Sequence, residues 1–390
     1  MPSRVISIAL SNVASDPRVR RQCQAFRAAG WDVLAVGFGE TGATADTPWS
    51  IAVTPEPAGD ASLFRRAIRI LLLLGCKVHS SLWQPVYRMQ LRHRAVRELA
   101  ESIESATLVI ANDWNSLPIA AELADRCGAR LVYDSHEYAT GERSENWRWR
   151  LFYPQYIAAI EKTFLQRIAV LSTVSQGIAE LLERNYRLAQ SPVVIRNVPV
   201  YQEMPCRPVG QNIRILYHGV VIPGRGLEAL VASVKQWRPG IQLTIRGPAN
   251  ADYIAHLKQI AGDAAQRIEF APPVAVQDLV RMANEADVGI HVLPAHSDEN
   301  RLALPNKFFE YIMAGLALCI SDVPEMRGLL QQHQVGWVLQ EDGAEAIAAM
   351  VNAMTVEAIE QCKRNALLAA KTLCWEAEAD VMIAAYTGGD

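Results

Sequence analysis

Short apolar runs of strand length alternate with helical patterns along this chain, and the alternation occurs twice. In the first half the runs are Arg4–Leu10, Val33–Val36, Leu108–Ala111, Arg130–Tyr133, Val170–Val174 and Val193–Ile195. In the second half they are Ile213–Tyr217, Gln242–Arg246, Ile268–Phe270, Val288–Val292, Ala317–Ser321 and Gly336–Leu339. Such alternation is typical of βαβ units around a parallel sheet. The sequence therefore predicts an α/β protein with two Rossmann-like, doubly wound domains.

The boundary between the two halves is marked by proline. Residues 198–212 contain three prolines and one glycine but no apolar period, which is the composition of a linker. We expect a first domain at 1–199, a linker at 200–212 and a second domain at 213–374, with a last helix in 375–390 that could return to the first domain. Ligands bind at the carboxyl ends of the strands in such sheets. The domains should therefore face a central cleft, with a donor side on one domain and an acceptor side on the other.

Composition and charge bear on the class of protein. Half of the residues are hydrophobic and the net charge is only −3, so the chain lacks the positive field of a nucleic-acid-binding protein. The seven cysteines are scattered without metal-ligand spacing, which indicates reduced thiols and no metal site. The apolar run Val5–Leu10 is too short for the core of a signal peptide. We expect a cytoplasmic enzyme.

Residues 61–97 form an unusual segment, because they contain eight basic side chains and no Asp or Glu. The basic residues are interleaved with a run of apolar residues, Ile70–Leu74, and with Phe64, Trp83 and Tyr87. Basic helices with apolar and aromatic faces bind anionic lipid surfaces. The segment predicts either peripheral contact with the inner face of a membrane or a buried helix whose arginines are solvated or paired elsewhere.

A bounded helix follows the polar loop near residue 300. Pro305 suits the first helical position, and Gly315 suits the left-handed end. The first turn offers the N–H groups of Asn306 and Lys307 beside a positive side chain, an arrangement that binds a diphosphate. Glu310 lies one turn after Lys307 on the same face, where its carboxylate could accept hydrogen bonds from ribose hydroxyls. The alternative is a surface ion pair on an ordinary core helix.

Several sequence blocks resemble family 4 glycosyltransferases of the GT-B fold. In chain order they are Asp16–Val19, Val132–Glu137, Ser172–Ser175, Tyr217–Gly219, Arg225–Leu227 and Pro305–Gly315. The resemblance implies transfer of a sugar, with retention of anomeric configuration, from a nucleoside-diphosphate sugar to a glycan, lipid-linked or small-molecule acceptor. It favours UDP over GDP as the nucleotide of the donor. It also implies catalysis without a metal ion or cofactor.

The resemblance gives roles to individual residues. Arg225 and Lys307 would share the diphosphate of the donor, and His136 would lie near the reacting sugar, so these three form the expected catalytic set. A histidine that only satisfies loop carbonyls is the structural alternative for His136. The residues expected to bind the donor are Gly219, Glu299, Asn306, Lys307 and Glu310. Those expected on the acceptor side are Asp16, Arg18, Asp113 and Asp134.

The chain departs from the family pattern at two positions. Leu302 stands where the family has the first glutamate of a pair, so Asp298 or Glu299 in the loop would have to replace it. Val220 follows Gly219 where the family often has an arginine. These departures keep a second function open, namely a nucleotide-sugar-binding protein without transferase activity, such as an epimerase-like enzyme or an inactive partner subunit.

Overall fold

The computed structural model of the protein describes residues 3–40, 47–58, 62–142, 146–293, 302 and 304–388. The described residues fall into two compact units. Those of 1–196 and 379–390 form the first unit, and 197–378 form the second. The chain therefore passes from the first unit to the second and returns near its C-terminus.

The first unit is a parallel sheet with helices between its strands. Its strands are β1 Arg4–Asn12, β2 Asp32–Phe38, β3 Ser50–Thr54, β4 Leu108–Asn112, β5 Arg130–Ser135, β6 Val170–Thr173 and β7 Val193–Val194. Its helices are α1 Pro17–Ala28, α2 Leu63–Gly75, α3 Trp83–Arg88, α4 Leu91–Glu101, α5 Leu117–Cys127, α6 Trp147–Phe152, α7 Pro154–Phe164 and α8 Gln176–Tyr186. The strand order is β3-β2-β1-β4-β5-β6-β7, with every pair parallel. This is a Rossmann-like sheet.

The second unit repeats the plan. Its strands are β8 Ile213–His218, β9 Ile241–Arg246, β10 Ile268–Ala271, β11 Val288–His291, β12 Ala317–Ser321 and β13 Gly336–Leu339, in the order β10-β9-β8-β11-β12-β13. Its helices are α9 Leu227–Ser233, α10 Ala251–Ala261, α11 Leu279–Ala283, α12 Asn306–Met313, α13 Pro324–His333, α14 Ala344–Ala353 and α15 Val356–Ala370. The last helix, α16 Trp375–Thr387, begins in the second unit and continues into the first. The two-domain α/β prediction is confirmed.

The central strands of both sheets are largely buried, which explains why apolar runs located them. In β1, for example, the six residues from Val5 to Leu10 are all buried, as expected of a parallel sheet covered on both faces. Several strands extend past their apolar runs into polar residues, because the buried carboxyl ends carry side chains that hydrogen-bond rather than pack. The edge strand β3 was missed in the sequence, since its side chains are only half-buried and its apolar pattern is short.

Helix ends follow the local sequence closely. Asp16 caps α1, because its carboxylate accepts the N–H groups of Arg18 and Val19, and Pro17 is the first helical residue. Gly315 takes the left-handed conformation after α12, with φ +68. Pro305 differs from the expectation. It is the extended residue before α12, with φ −72 and ψ 148, so Asn306 rather than Pro305 begins the helix.

The end of α16 belongs to the first unit. Tyr386 is fully buried, its ring stacks on Phe26 with centroids 6.4 Å apart, and its hydroxyl lies 2.5 Å from Oγ of Ser172. The first unit thus needs the last residues of the chain to complete its core. Among the helices that the structure describes, none combines the length and the apolar character required to span a bilayer.

Candidate functional site

The predicted donor residues of the second unit meet at the carboxyl edge of its sheet. The chain leaves β8 through Gly219, whose φ is +132, and the Gly219 N–H donates to the Arg246 carbonyl at 3.0 Å. A Cβ on Gly219 would lie 2.9 Å from Nζ of Lys307. The backbone conformation therefore favours glycine, and a side chain at this position would displace the ammonium group of Lys307.

Lys307 occupies the first turn of α12 and points back to the end of β8. Its Nζ lies 4.6 Å from the centroid of the Tyr217 ring and donates to the Tyr217 hydroxyl at 3.4 Å. Burial lowers the pKa of Lys307 to about 8, repulsion from Arg225 adds to this effect, and Glu310 opposes it. The site therefore holds a partly desolvated ammonium group that an anion would stabilise strongly.

Glu310 lies one turn further along α12 and contacts a buried histidine. Its Oε2 is 2.8 Å from Nε2 of His218. The His218 ring packs against Tyr311, with centroids 4.6 Å apart, and its backbone N–H donates to the Tyr311 hydroxyl at 2.9 Å. These contacts hold the carboxylate of Glu310 beside the turn that carries Gly219. The side chain of Glu310 keeps 19% of its surface exposed, so a ligand can still reach it.

A second cation lies in the turn before α9. Arg225 is exposed and sits between Gly224, with φ +84, and Gly226, with φ +69. It is close enough to Lys307 to lower its pKa. Burial, then Lys307, Arg225 and His218, hold the pKa of His291 well below its usual range, so the ring of His291 is neutral at pH 7.

The N-terminus of α12 completes the donor-side group. The helix begins at Asn306, which is exposed, and the Phe308 N–H donates to the Pro305 carbonyl at 3.0 Å. The N–H groups of Asn306 and Lys307 precede the first intrahelical hydrogen bond and are free for an anion. The second unit therefore presents a helix N-terminus, an ammonium group, a guanidinium group and a carboxylate within one small area.

Asp134 is the centre of a buried polar cluster in the first unit. It lies one residue before the end of β5 and has no exposed surface. Arg18 donates hydrogen bonds to both carboxylate oxygens of Asp134, through Nε and Nη2, at 2.9 Å each. Gln22 donates to Oδ2 at 2.6 Å, and Ser172 donates to Oδ1 at 2.8 Å. Burial opposes ionisation of Asp134, but Arg18 and His136 hold its pKa well below the usual range. Asp134 is thus an anchor that ties α1, β5 and β6 together.

His136 follows β5 and lies between two carboxylates. Its Nδ1 is 3.3 Å from Oδ2 of Asp113, and its Nε2 is 3.2 Å from Oδ2 of Asp134 and 3.2 Å from Oδ1 of Asn112. Burial lowers the pKa of His136, but Asp113 and Asp134 outweigh burial and raise it to about 10. His136 is therefore an imidazolium at neutral pH, which donates from both ring nitrogens.

The remaining acceptor-side residues take different positions. Asp113 follows β4 in a left-handed conformation, with φ +64, accepts the His136 backbone N–H at 3.0 Å and is 39% exposed. A ligand could reach Asp113 and Asp16, which are half-buried, more easily than Arg18 and Asp134, which are buried. Asp16 caps α1 and accepts a hydrogen bond from Ser11 Oγ at 2.7 Å.

Some residues of these clusters were not among the sequence candidates, and one candidate cannot be placed. His218, Gln22, Asn112 and Ser172 were missed. Ser172 and His218 lie in blocks that resemble the family but were given no role. For Asn112, at the end of a buried strand, and Gln22, on the buried face of α1, the only signal was position. Glu299 and Asp298 lie outside the described residues.

The chain has two parallel-sheet domains, and a lysine stands in the first helical turn at the carboxyl edge of the second sheet. This is the arrangement found in GT-B glycosyltransferases. Family comparison agrees. Residues 15–198 match the Glycosyl transferase 4-like domain, and residues 212–355 match Glycosyl transferases group 1. The chain belongs to the family 4-like glycosyltransferases of the GT-B fold. No curated protein sequence matches it.

Solved structures with the same fold have distant sequences. Sucrose-phosphate synthase from Thermosynechococcus elongatus is 15% identical with a TM-score of 0.71, and the match covers 99% of this chain and 98% of that one. HepE of Anabaena, in complex with UDP and glucose, is 14% identical with a TM-score of 0.69 and coverage of 99% and 100%. WaaG, a glycosyltransferase involved in lipopolysaccharide biosynthesis, is 12% identical with a TM-score of 0.63 and coverage of 99% and 100%. These similarities establish the GT-B fold.

Proposed function

We propose that the protein transfers a sugar from a UDP-sugar to a glycan, lipid-linked or small-molecule acceptor with retention of anomeric configuration. The observation that carries the proposal is the placement of Lys307 in the first turn of α12, against Gly219, with Glu310 one turn behind it. A diphosphate at the helix N-terminus would meet Lys307, and the nucleoside would extend toward Glu310.

The donor-side cations serve the departure of the diphosphate. As the glycosidic bond breaks, negative charge grows on the leaving phosphate, and groups fixed in advance stabilise that charge. Lys307, Arg225 and the N–H groups of Asn306 and Lys307 fill this role. Loss of one such contact typically lowers the rate roughly 10²- to 10³-fold.

Glu310 is assigned to the ribose of the donor. A carboxylate that His218 holds in place can accept both ribose hydroxyls without the entropy cost of ordering its side chain. The HepE structures, one with UDP and glucose and another with UDP-glucose, support a UDP-sugar as the first donor to test. GDP-sugars are the comparison.

His136 acts as a cation rather than as a base. Because its pKa is raised to about 10, it does not accept a proton at neutral pH, and we assign it to hydrogen bonding and charge balance near the transferred sugar. Asp113 offers exposed carboxylate oxygens to hydroxyl groups of the sugar or the acceptor. The proton of the acceptor then goes to the leaving phosphate, which stays on the face that the acceptor attacks, and retention follows.

The reaction is proposed to need neither a metal ion nor a cofactor. Lys307 and Arg225 supply to the diphosphate the positive charge that a divalent ion would otherwise supply. Turnover that survives EDTA would support this part of the proposal, whereas turnover restored by Mg²⁺ or Mn²⁺ after EDTA treatment would contradict it.

Turnover gives the direct test of transfer. The protein is incubated with UDP-glucose, UDP-galactose or UDP-N-acetylglucosamine and a membrane lipid extract, and the release of UDP and the anomeric configuration of the product are measured by NMR. An α-linked product from an α-linked donor supports retention, and a β-linked product contradicts it. Binding of UDP-sugars without any release of UDP would instead identify the nucleotide-sugar-binding function without transfer.

We also infer that the first unit docks on the inner, anionic face of a membrane, which favours a lipid-linked acceptor. Helix α2 exposes Leu63, Phe64 and Leu71 by 79%, 74% and 68%, and these apolar side chains lie beside Arg65 and Arg66. An exposed apolar stripe next to cations is typical of interfacial helices. The apolar groups would enter the interface while the arginines meet lipid phosphates.

Vesicle sedimentation tests the docking. Leu71→Ser should reduce co-sedimentation with vesicles that contain phosphatidylglycerol, because the exposed side chain enters the interface. Val276→Ser removes an equally exposed apolar group, 71% exposed, from the second unit and should leave binding unchanged. Wild-type protein that does not sediment with these vesicles would contradict membrane docking.

A further inference from the structure

A basic cavity of about 230 Å³ lies in the first unit beside helix α2. Among the described residues that line it are four arginines and one carboxylate, so this part of the lining has a net positive charge. The charged residues are Glu56, Arg65, Arg66, Arg69 and Arg92. A cavity of this size holds a phosphate group with part of its substituent rather than a nucleotide, since ligand pockets for larger molecules span roughly 300 to 1,000 Å³.

The arginines come from two helices that fix their positions. Arg65 and Arg69 are one turn apart on α2, and Arg66 lies beside them. Arg92 comes from α4, where Nη2 donates to the Leu10 carbonyl at 2.9 Å and Nε pairs with Glu56 at 2.9 Å. The guanidinium of Arg92 is therefore held in place before any ligand arrives.

Arg69 has unused hydrogen-bonding capacity. Its Nε atom is buried and has no hydrogen-bond partner among the described residues, and its residue lines the cavity. A buried donor without a partner is destabilising, so the protein alone does not satisfy the guanidinium of Arg69, whose side chain lines the cavity. Arginine pairs with phosphate oxygens through two parallel hydrogen bonds, which makes phosphate a suitable occupant.

The cavity also lies at the ligand-binding edge of the sheet. Residues 56–58 follow the carboxyl end of β3, Leu10 is near the end of β1, and the Arg92 guanidinium packs 5.1 Å from the ring centroid of Phe38, the last residue of β2. In parallel sheets this edge is shared by every strand, including β5, which His136 follows. A phosphate in the cavity would therefore lie on the same edge of the unit as His136.

The apolar stripe of α2 identifies the source of the phosphate. Leu63, Phe64 and Leu71 are exposed on the same helix that supplies Arg65 and Arg69 to the cavity. A free phosphate would need the arginines but not the apolar side chains, whereas a membrane lipid satisfies both. This step rests on the membrane docking proposed above.

We propose that the cavity formed by Arg65, Arg66, Arg69 and Arg92 is a binding site for the head-group phosphate of an anionic membrane lipid. Helix α2 inserts its apolar side chains between the acyl chains of neighbouring lipids. Arg69 and Arg92 then hold one lipid phosphate by direct hydrogen bonds. Contact with one lipid phosphate would fix the position of the first unit on the membrane, which general attraction to an anionic surface does not do.

The test compares three arginine variants of the full chain. Partition onto phosphatidylcholine vesicles with phosphatidylglycerol should fall about tenfold or more in Arg69→Gln, because a direct phosphate contact is lost in addition to one charge. Arg88→Gln removes the same charge from an exposed position of the same segment, outside the cavity, and should lower partition about fivefold or less. Arg69→Lys keeps the charge and should recover only part of the loss.

Calorimetry with soluble probes distinguishes the source of the phosphate. Dihexanoyl phosphatidylglycerol below its micelle concentration should bind the wild type and fail to bind Arg69→Gln, and inorganic phosphate should bind more weakly than the lipid. Equal partition of Arg69→Gln and Arg88→Gln would overturn the site while leaving membrane docking intact. Inorganic phosphate that binds as tightly as the lipid would assign the cavity to a free phosphate instead. Wild-type protein that does not bind anionic vesicles would overturn the proposed membrane docking.

Discussion

At the scale of single residues, charge is set by the neighbours that each side chain meets. His136 is a cation because two carboxylates outweigh its burial, whereas His291 is neutral because burial and nearby cations act together. Lys307 stays basic but is partly desolvated. The two units therefore carry positive groups of different kinds, a carboxylate-bound imidazolium in the first and a titratable ammonium in the second.

The charge of His136 predicts how the stability of the protein changes with pH. A histidine whose pKa is raised in the folded state contributes stability that is complete below its ordinary pKa of 6.5 and is lost as the pH rises through about 10. The difference in melting temperature between wild type and His136→Gln should shrink across that range. A difference that is constant or grows with pH would contradict the ion-pair arrangement around His136.

Lys307 predicts a second pH dependence, this time of donor binding. Its ammonium group loses its proton around pH 8 in the free protein, so the affinity for UDP should fall as the pH rises through that value. Lys307→Arg keeps its charge across this range and should bind UDP with little change on either side of pH 8. Calorimetric titration of both proteins checks this, and an equally steep loss in Lys307→Arg would assign the titration to another group.

At the scale of secondary-structure elements, the turn after β8 and the first turn of α12 depend on each other. Gly219→Ala should weaken UDP binding, because a Cβ would lie 2.9 Å from Nζ of Lys307 and displace it. Gly240→Ala is the matched control, since Gly240 also has a positive φ of +82 but a Cβ there would meet no atom closer than 3.7 Å. The control should cost roughly 1 kcal/mol of stability and leave UDP affinity unchanged. Equal affinities for the two variants would contradict the contact.

The elements also show what the sequence could predict and where prediction stopped. Continuous apolar runs located the buried strands, and the caps Asp16 and Gly315 located helix ends. The polar residues at the ends of strands were not predicted as members of the buried clusters, because polar residues such as His218 and Asn112 show no burial signal in a sequence. Arg18 and Asp134 were named only through family resemblance and only as acceptor-side residues, because a pair 116 positions apart in the chain leaves no local pattern.

At the scale of the whole molecule, the last helix of the chain returns to the first unit. The last turns of α16 pack in the first unit, and Tyr386 fills a fully buried position against Phe26 and Ser172. The first unit is thus built from two segments that are far apart in the sequence. Its core cannot be complete until the residues up to Tyr386 have been synthesised.

This arrangement predicts that a change at the C-terminus destabilises the first unit. Tyr386→Ala should reduce stability by about 3 to 5 kcal/mol, as expected for loss of a large buried aromatic side chain. Val381→Ala, on the same helix but 47% exposed, should have little effect. Denaturant unfolding, followed by hydrogen exchange of β1 and β5, would locate the loss, and a loss confined to the second unit would contradict the packing of α16.

We propose above that the second unit binds a UDP-sugar through α12. Calorimetric titration of UDP and GDP into wild type, Glu310→Ala and the exposed control Glu357→Ala tests it most directly. We expect wild type and Glu357→Ala to bind UDP alike and more tightly than GDP, and Glu310→Ala to lose roughly tenfold or more in affinity, the effect of a charge-assisted hydrogen bond. Wild-type protein that binds neither nucleotide, or Glu310→Ala that binds UDP as well as wild type does, would contradict the proposal that α12 binds the nucleotide of the donor.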